Sequence, residues 1–289
     1  MIYVIIKPKE WLMDGIREPA VSGTFYPSNP DVLRSDIEGY LSKVSNQKIP
    51  GYIAGLISPH AGYMYSGQTA AYGYKALSGA HYDTVVVIAP SHQSFFLGAA
   101  VYDKGAFRTP LGLVPIDEEL SAELVEKGGS VHADVRVHRG EHAIEVQIPF
   151  LQTVLGRFKL VPLIMGTSQD PHSSAELASL IYECIKDKHE RYLVVGSTDL
   201  SHYYPYELAV EMDKSAVGLI EAFDLEGLIR ELARGKYEAC GAGPLLTTMM
   251  VCEKLGAKWS KALNYMNSGD VTGEMSGVVG YVSCVIHGE

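Results

Sequence analysis

The chain reads as a single α/β domain with a mostly parallel central sheet flanked by helices. Short, β-branched, almost continuously apolar runs recur along it, the pattern of strands buried on both faces. Between them lie segments with apolar residues at three- and four-residue spacing, the pattern of helices that cover a sheet. No linker, repeat or low-complexity stretch divides the 289 residues, so one domain spans 1–289, with 1–16 a candidate N-terminal extension.

The elements follow in order. "YIAGLIS" from Tyr52 is the first strand, and Gln68 to Leu77 is a helix. "DTVVVIAP" from Asp83 is the second strand, and Asp117 to Lys127 a helix whose start is acidified by Asp117, Glu118 and Glu119. Ile144 to Leu155 is helical, with Pro149 inside it marking a kink or a stop. "KLVPLIMG" from Lys159 is a strand, Ala175 to Lys186 a helix that Pro171 can begin, and "RYLVVGS" from Arg191 the fourth strand. Helical patterns then cover Glu207 to Arg234 and Gly243 to Leu255, followed by strand-like "WSKALNYMN" and "MSGVVGYVSCVI".

Composition narrows the function. With 47% hydrophobic and 20% charged residues the chain is that of a soluble globular protein. A net charge of −10 with no Lys/Arg cluster argues against a nucleic-acid partner. The opening "MIYVIIKPKEWL" is too short to span a bilayer and lacks a basic segment before it and a small-residue cleavage site after it. The expectation is a cytoplasmic protein without a membrane partner. Four cysteines without CxxC spacing suggest neither a zinc knuckle nor a disulfide framework. Cys184, Cys252 and Cys284 read as small core residues, whereas Cys240 precedes a Gly-rich turn and a helix, where backbone N–H groups favour thiolate.

In a parallel α/β sheet, ligands bind beyond the carboxyl ends of the strands. The first strand ends in "ISPHAGYMYSG" with His60, the second in "APSHQ" with His92, and the fourth in "STDLSHYY" with Asp199 and His202. Imidazoles on separate strand ends can converge on a metal, or they can be hydrogen-bonded histidines of separate loops. "RGEHAIEVQIPF" adds Glu141, His142 and Glu145; Glu141 and Glu145 pair at i, i+4 if a helix begins that early. This segment either orients ligands or caps a helix, and HAIEV is not the HExxH of zinc peptidases. The serines of "STDLSH" come without a GxSxG elbow, so a serine hydrolase has little support.

Seven strings in this order, "REPAVSGTFYP", "ISPHAGYMYSG", "APSH", "RTPLG", "EHAIEVQIPF", "STDLSHY" and "CGAGP", run from Arg17 to Pro244 and resemble the Memo family. The resemblance implies a fold similar to class III extradiol dioxygenases, non-haem iron enzymes that use two histidines and a carboxylate. Carried over residue by residue, it implies a metal site of His60, His92 and Cys240, with a thiol replacing the carboxylate. It also implies His202 as acid/base with Asp199 orienting it, and Glu141 and His142 lining the cleft. Phe25 and Tyr26 stand where animal relatives tend to carry Trp-Tyr, and are expected to contact a ligand. A set with one soft thiolate suits iron or copper and remains compatible with zinc. The implied activity is metal-dependent redox chemistry on a small-molecule or peptide ligand. The alternatives are a non-enzymatic peptide- or anion-binding module in the same cleft, or a metal-dependent hydrolase with His202 or Glu141 as base.

Overall fold

The computed structural model describes residues 15–167 and 170–289. The apolar N-terminal run, and all but the last two residues of the candidate extension at 1–16, lie outside the described residues. In chain order the strands are β1 (Ile16–Arg17), β2 (Ile53–Ser58), β3 (Thr84–Pro90), β4 (Ala99–Val101), β5 (Ala106–Thr109), β6 (Gly112–Pro115), β7 (Val131–Ala133), β8 (Lys159–Met165), β9 (Tyr192–Ser197), β10 (His202–Tyr204), β11 (Trp259–Asn267) and β12 (Val278–His287). The helices are α1 (Pro30–Ser42), α2 (Tyr63–Ala76), α3 (Glu118–Glu126), α4 (Ile148–Leu155), α5 (Pro171–Ile185), α6 (Tyr206–Glu221), α7 (Leu225–Ala233), α8 (Ala242–Lys254) and α9 (Ser268–Thr272).

The large sheet has the order β10-β12-β2-β9-β3-β8-β4-β7, with β11 also paired to β12. Its centre, β2-β9-β3-β8, is parallel throughout, with Gly55 beside Val194, Val86 beside both Val194 and Val161. These four strands are the four apolar runs of the sequence, and all of their residues except Lys159 and Tyr192 are buried. The sheet is mixed, because β12 lies antiparallel on β2 and β4 antiparallel on β8. A small second sheet, β1-β5-β6, carries Arg17.

Helices cover both faces. On one face α1, α2 and α4 pack with the strands, and Tyr74 of α2 stacks on Phe150 of α4 with centroids 4.9 Å apart. On the other, α6, α7 and α8 bury one cluster and α3 with α5 a neighbouring one. The approach of α8 to β2 is close enough that a Cβ on Gly55 would lie 2.5 Å from Cys252 Sγ.

Local chemistry accounts for boundaries that differ from the sequence reading. The helix expected at Gln68 begins at Tyr63, directly after the His60 turn. Pro149 falls in the first turn of α4, where a missing N–H costs nothing, and Glu145–Gln147 ahead of it form a separate 3-10 turn. Glu141 and Glu145 are therefore not an i, i+4 helical pair. The pattern over 207–234 is two helices, broken at Phe223 with φ 55° and restarted by Asp224, whose carboxylate accepts the Gly227 N–H at 2.8 Å. Helix α1 has a readable start, with Asn29 accepting N–H bonds from Asp31 and Val32 and Pro30 in its first turn. It buries Leu33, Ile37 and Leu41 at four-residue spacing.

Candidate functional site

Strands β2, β3 and β9 are parallel neighbours, so their C-terminal ends open on one edge, and the chain leaving each carries a polar residue into that edge. His60 follows β2, His92 follows β3, and Asp199 and His202 follow β9. Cys240 arrives from the start of α8, and its Sγ lies 3.1 Å from His60 Nε2. The rings of His60 and His92 are 5.1 Å apart, and His142 completes a triangle at 5.5 and 4.6 Å.

One nitrogen or sulfur from each of His60, His92 and Cys240 lies within 4.8 Å of the other two. Donors around one ion with bonds of about 2.0–2.3 Å stand roughly 3–4.5 Å apart, so small side-chain adjustments suffice to close the set. Both imidazoles have the outer nitrogen engaged: His60 Nδ1 with Ser197 Oγ at 2.9 Å, His92 Nδ1 with Glu141 Oε1 at 2.9 Å. Such partners fix ring orientation and leave Nε2 to face the centre. The donor set and its supports fit a metal ion. A second group, His92, Glu141 and His142, shares His92 with the first.

Glu141 is the organiser of this side. Its carboxylate is buried and accepts the backbone N–H groups of His92 (2.7 Å), His142 (2.9 Å) and Ala143 (3.0 Å) besides the His92 ring. Burial opposes charge on both His92 and Glu141, but their mutual hydrogen bond outweighs it: His92 is raised and Glu141 lowered from their ordinary values. His60, His142 and His202 are all lowered, chiefly by burial, and charge on any neighbouring imidazole opposes their protonation.

Cys240 departs from the sequence expectation. Burial, then the charge of Asp199, push its thiol above the ordinary range, outweighing nearby backbone N–H groups. The Gly241 N–H donates to Thr198 Oγ1 at 3.1 Å. The N–H groups of Asp199 and Gly241 do pull the thiol down, but burial outweighs them, so a thiolate here calls for a further cation.

The residues singled out from sequence have differing places. Asp199 Oδ1 accepts the His60 N–H at 2.8 Å, and burial raises its carboxyl to about 7. His202 is steered by others: its backbone N–H donates to Glu238 Oε1 at 3.0 Å, and the Leu200 carbonyl and Glu238 charge act on its ring. Phe25 packs on His142 with centroids 4.9 Å apart, at the rim of the histidine cluster. Tyr26 turns inward, 3% exposed, and donates its hydroxyl to Glu145 Oε1 at 2.5 Å. Its hydroxyl is thereby committed to the segment that carries Glu145. Sequence reasoning gave no role to Ser197, Gln147, Glu238 or Arg17; each lies within or beside a quoted motif, but its partner is distant in the chain.

Fold and site together define an α/β protein with a candidate metal centre of two histidines and one cysteine at the carboxyl edge of its sheet. The chain belongs to the Memo family, for the model of Memo-like proteins matches residues 17–285. A MEMO1 family protein of Sulfolobus acidocaldarius is 39% identical over 280 residues, 93% of this chain and 98% of its own. One of Methanopyrus kandleri is 38% identical over 281 residues, with 93% and 98% covered. One of Methanocaldococcus jannaschii is 38% identical over 288 residues, with 95% and 100% covered. In fold, the crystal structure of an uncharacterized Escherichia coli protein is similar, with a TM-score of 0.51 at 13% identity, covering 80% of this chain and 98% of that one. Among the described residues no helix is long and apolar enough to cross a membrane.

Proposed function

We propose that this Memo family protein is a cytoplasmic metal-dependent oxidoreductase that binds iron or copper through His60, His92 and Cys240. The observation that carries the reading is the donor set itself, three ligand atoms within 4.8 Å of one another on three different segments. Two imidazoles and a thiol favour iron or copper, and zinc is compatible with the same donors. Bound iron or copper would supply one-electron chemistry to a small-molecule or peptide ligand in the cleft.

The chain's own groups divide the remaining work. Ser197 and Glu141 hold the two imidazole ligands in orientation. His202, lowered by burial, is neutral near pH 7 and able to accept a proton from a ligand within about 2.6–3.2 Å. Phe25 and His142 offer an aromatic wall at the rim. Four free cysteines agree with a reducing compartment.

The test is elemental analysis of chelator-treated protein after reconstitution with iron(II) or copper. One equivalent in the wild type, lost in His60→Ala and in Cys240→Ser, supports the reading. No stoichiometric iron or copper in the wild type overturns it and favours peptide or anion binding in the cleft. Turnover that needs no oxidant would assign it to metal-dependent hydrolysis.

A further inference from the structure

His60 reaches Cys240 through Nε2, while its other nitrogen enters a closed set of hydrogen bonds. Ser197 Oγ lies 2.9 Å from His60 Nδ1, 2.7 Å from the Ala143 carbonyl oxygen and 2.8 Å from Gln147 Nε2. Gln147 Nε2 also lies 3.0 Å from the Pro59 carbonyl oxygen, and Gln147 Oε1 lies 2.5 Å from the Tyr74 hydroxyl. His60, Ser197, Gln147 and Tyr74 are at most 2% exposed, so bulk water does not compete for these bonds.

The donors can be assigned one after another. A carbonyl oxygen only accepts, so the Gln147 group facing Pro59 is its amide NH₂, and Oε1 is left to accept from Tyr74. That NH₂ then donates its second hydrogen to Ser197 Oγ. The Ala143 carbonyl also only accepts, so Ser197 spends its single hydrogen there. Ser197 Oγ has one lone pair remaining, and the nitrogen opposite it must bring the hydrogen. That nitrogen is His60 Nδ1.

We propose that Ser197 and Gln147 are positioning residues that fix His60 as its Nδ1–H tautomer, holding the Nε2 lone pair toward Cys240 and the centre. Ser197 acts directly and Gln147 through it. The opposite tautomer would leave Nδ1 and Ser197 Oγ facing each other without a hydrogen, or would strand the Ala143 carbonyl if the hydroxyl turned to the ring. An imidazole free to take either tautomer would meet a cation with an N–H at Nε2 whenever the hydrogen sat there; here the lone pair is presented in advance. That last consequence rests on the metal reading, whereas the tautomer itself does not.

The experiment is a long-range ¹H–¹⁵N correlation spectrum of the histidine rings in uniformly ¹⁵N-labelled, chelator-treated protein near neutral pH, with the His60 signals identified by their loss in His60→Ala. The wild type is expected to show Nδ1–H in excess over Nε2–H by roughly tenfold or more. Ser197→Ala is expected to erode that excess and Ser197→Thr, which keeps the hydroxyl, to restore it. A wild-type His60 with its hydrogen on Nε2 overturns the proposal. A Ser197→Ala protein with the wild-type tautomer ratio overturns the role of Ser197. In iron(II) titrations Ser197→Ala is expected to bind roughly 10–100-fold more weakly, with recovery in Ser197→Thr. A wild type that shows the Nδ1–H form yet takes up neither iron nor copper supports the lock and removes the metal reading, so the two failures are distinct.

Discussion

Replacing Glu145 by glutamine tests how the N-terminal segment is fastened to the site wall. Glu145 is fully buried and its two oxygens receive four donors: the Arg17 guanidinium, the Ala20 and Val21 N–H groups at 2.7 and 3.0 Å, and the Tyr26 hydroxyl at 2.5 Å. Arg17 is 3% exposed and is also tied to the His138 and Glu141 carbonyl oxygens, so it cannot swing out to water when its partner is neutralised. Removing one member of a buried ion pair costs about 3–5 kcal/mol. Glutamine also turns one acceptor into an NH₂ that faces donors, each such unmade bond adding roughly 1–3 kcal/mol, not additively. We expect Glu145→Gln to lower the unfolding free energy by about 4 kcal/mol, read from urea denaturation. Arg17→Met combined with Glu145→Gln should recover part of the loss, because no charge is then left unpaired. A loss under about 1 kcal/mol in the single variant would refute the reasoning, since it would mean that Arg17 finds other solvation.

Two further outcomes follow from packing and titration. Gly55→Ala should destabilise by about 1–3 kcal/mol, because the new Cβ would sit 2.5 Å from Cys252 Sγ; an unchanged denaturation midpoint would show that α8 moves freely. His138 is pushed down to about 3 by burial, below the ~6.5 of an unfolded chain, so the unfolded state binds the extra proton between those values. Its contribution is complete above about pH 6.5 and is lost as pH falls toward 3; His138→Gln should flatten the rise of Tm with pH across that window, and an unaltered slope would contradict it.

The parts of the fold visible in the sequence are those written in local pattern. The four central strands were readable because both faces are buried, leaving uninterrupted apolar runs. Helix α1 carries local signals too, in Asn29-Pro30 at its start and the spacing of Leu33, Ile37 and Leu41. The antiparallel placement of β12 could not be read, because pairing partners such as Ile57 and Cys284 carry no mutual signal. In the site, the strand-end rule brought His60, His92 and His202 to one edge, and the family resemblance added Cys240. Neither could show that Asp199 serves the His60 backbone, nor that the Tyr26 hydroxyl is bound to Glu145. Those facts depend on side-chain direction, which motif strings do not encode. The thiolate expected at Cys240 failed because burial and the Asp199 charge outweigh a helix start.

Strand β12 has a consequence for how the protein is made. It lies between β2 and β11, almost wholly buried, and its Cys284 pairs with Ile57 roughly two hundred residues earlier. At about 5–20 residues per second, β2 leaves the ribosome on the order of 10–40 seconds before the neighbour that closes its edge. During that interval a six-residue apolar strand, with the His60 turn at its end, presents open backbone N–H and C=O groups to any other nascent chain. The edge of β2 that leads into the His60 turn is therefore the last edge of the central sheet to be closed during synthesis.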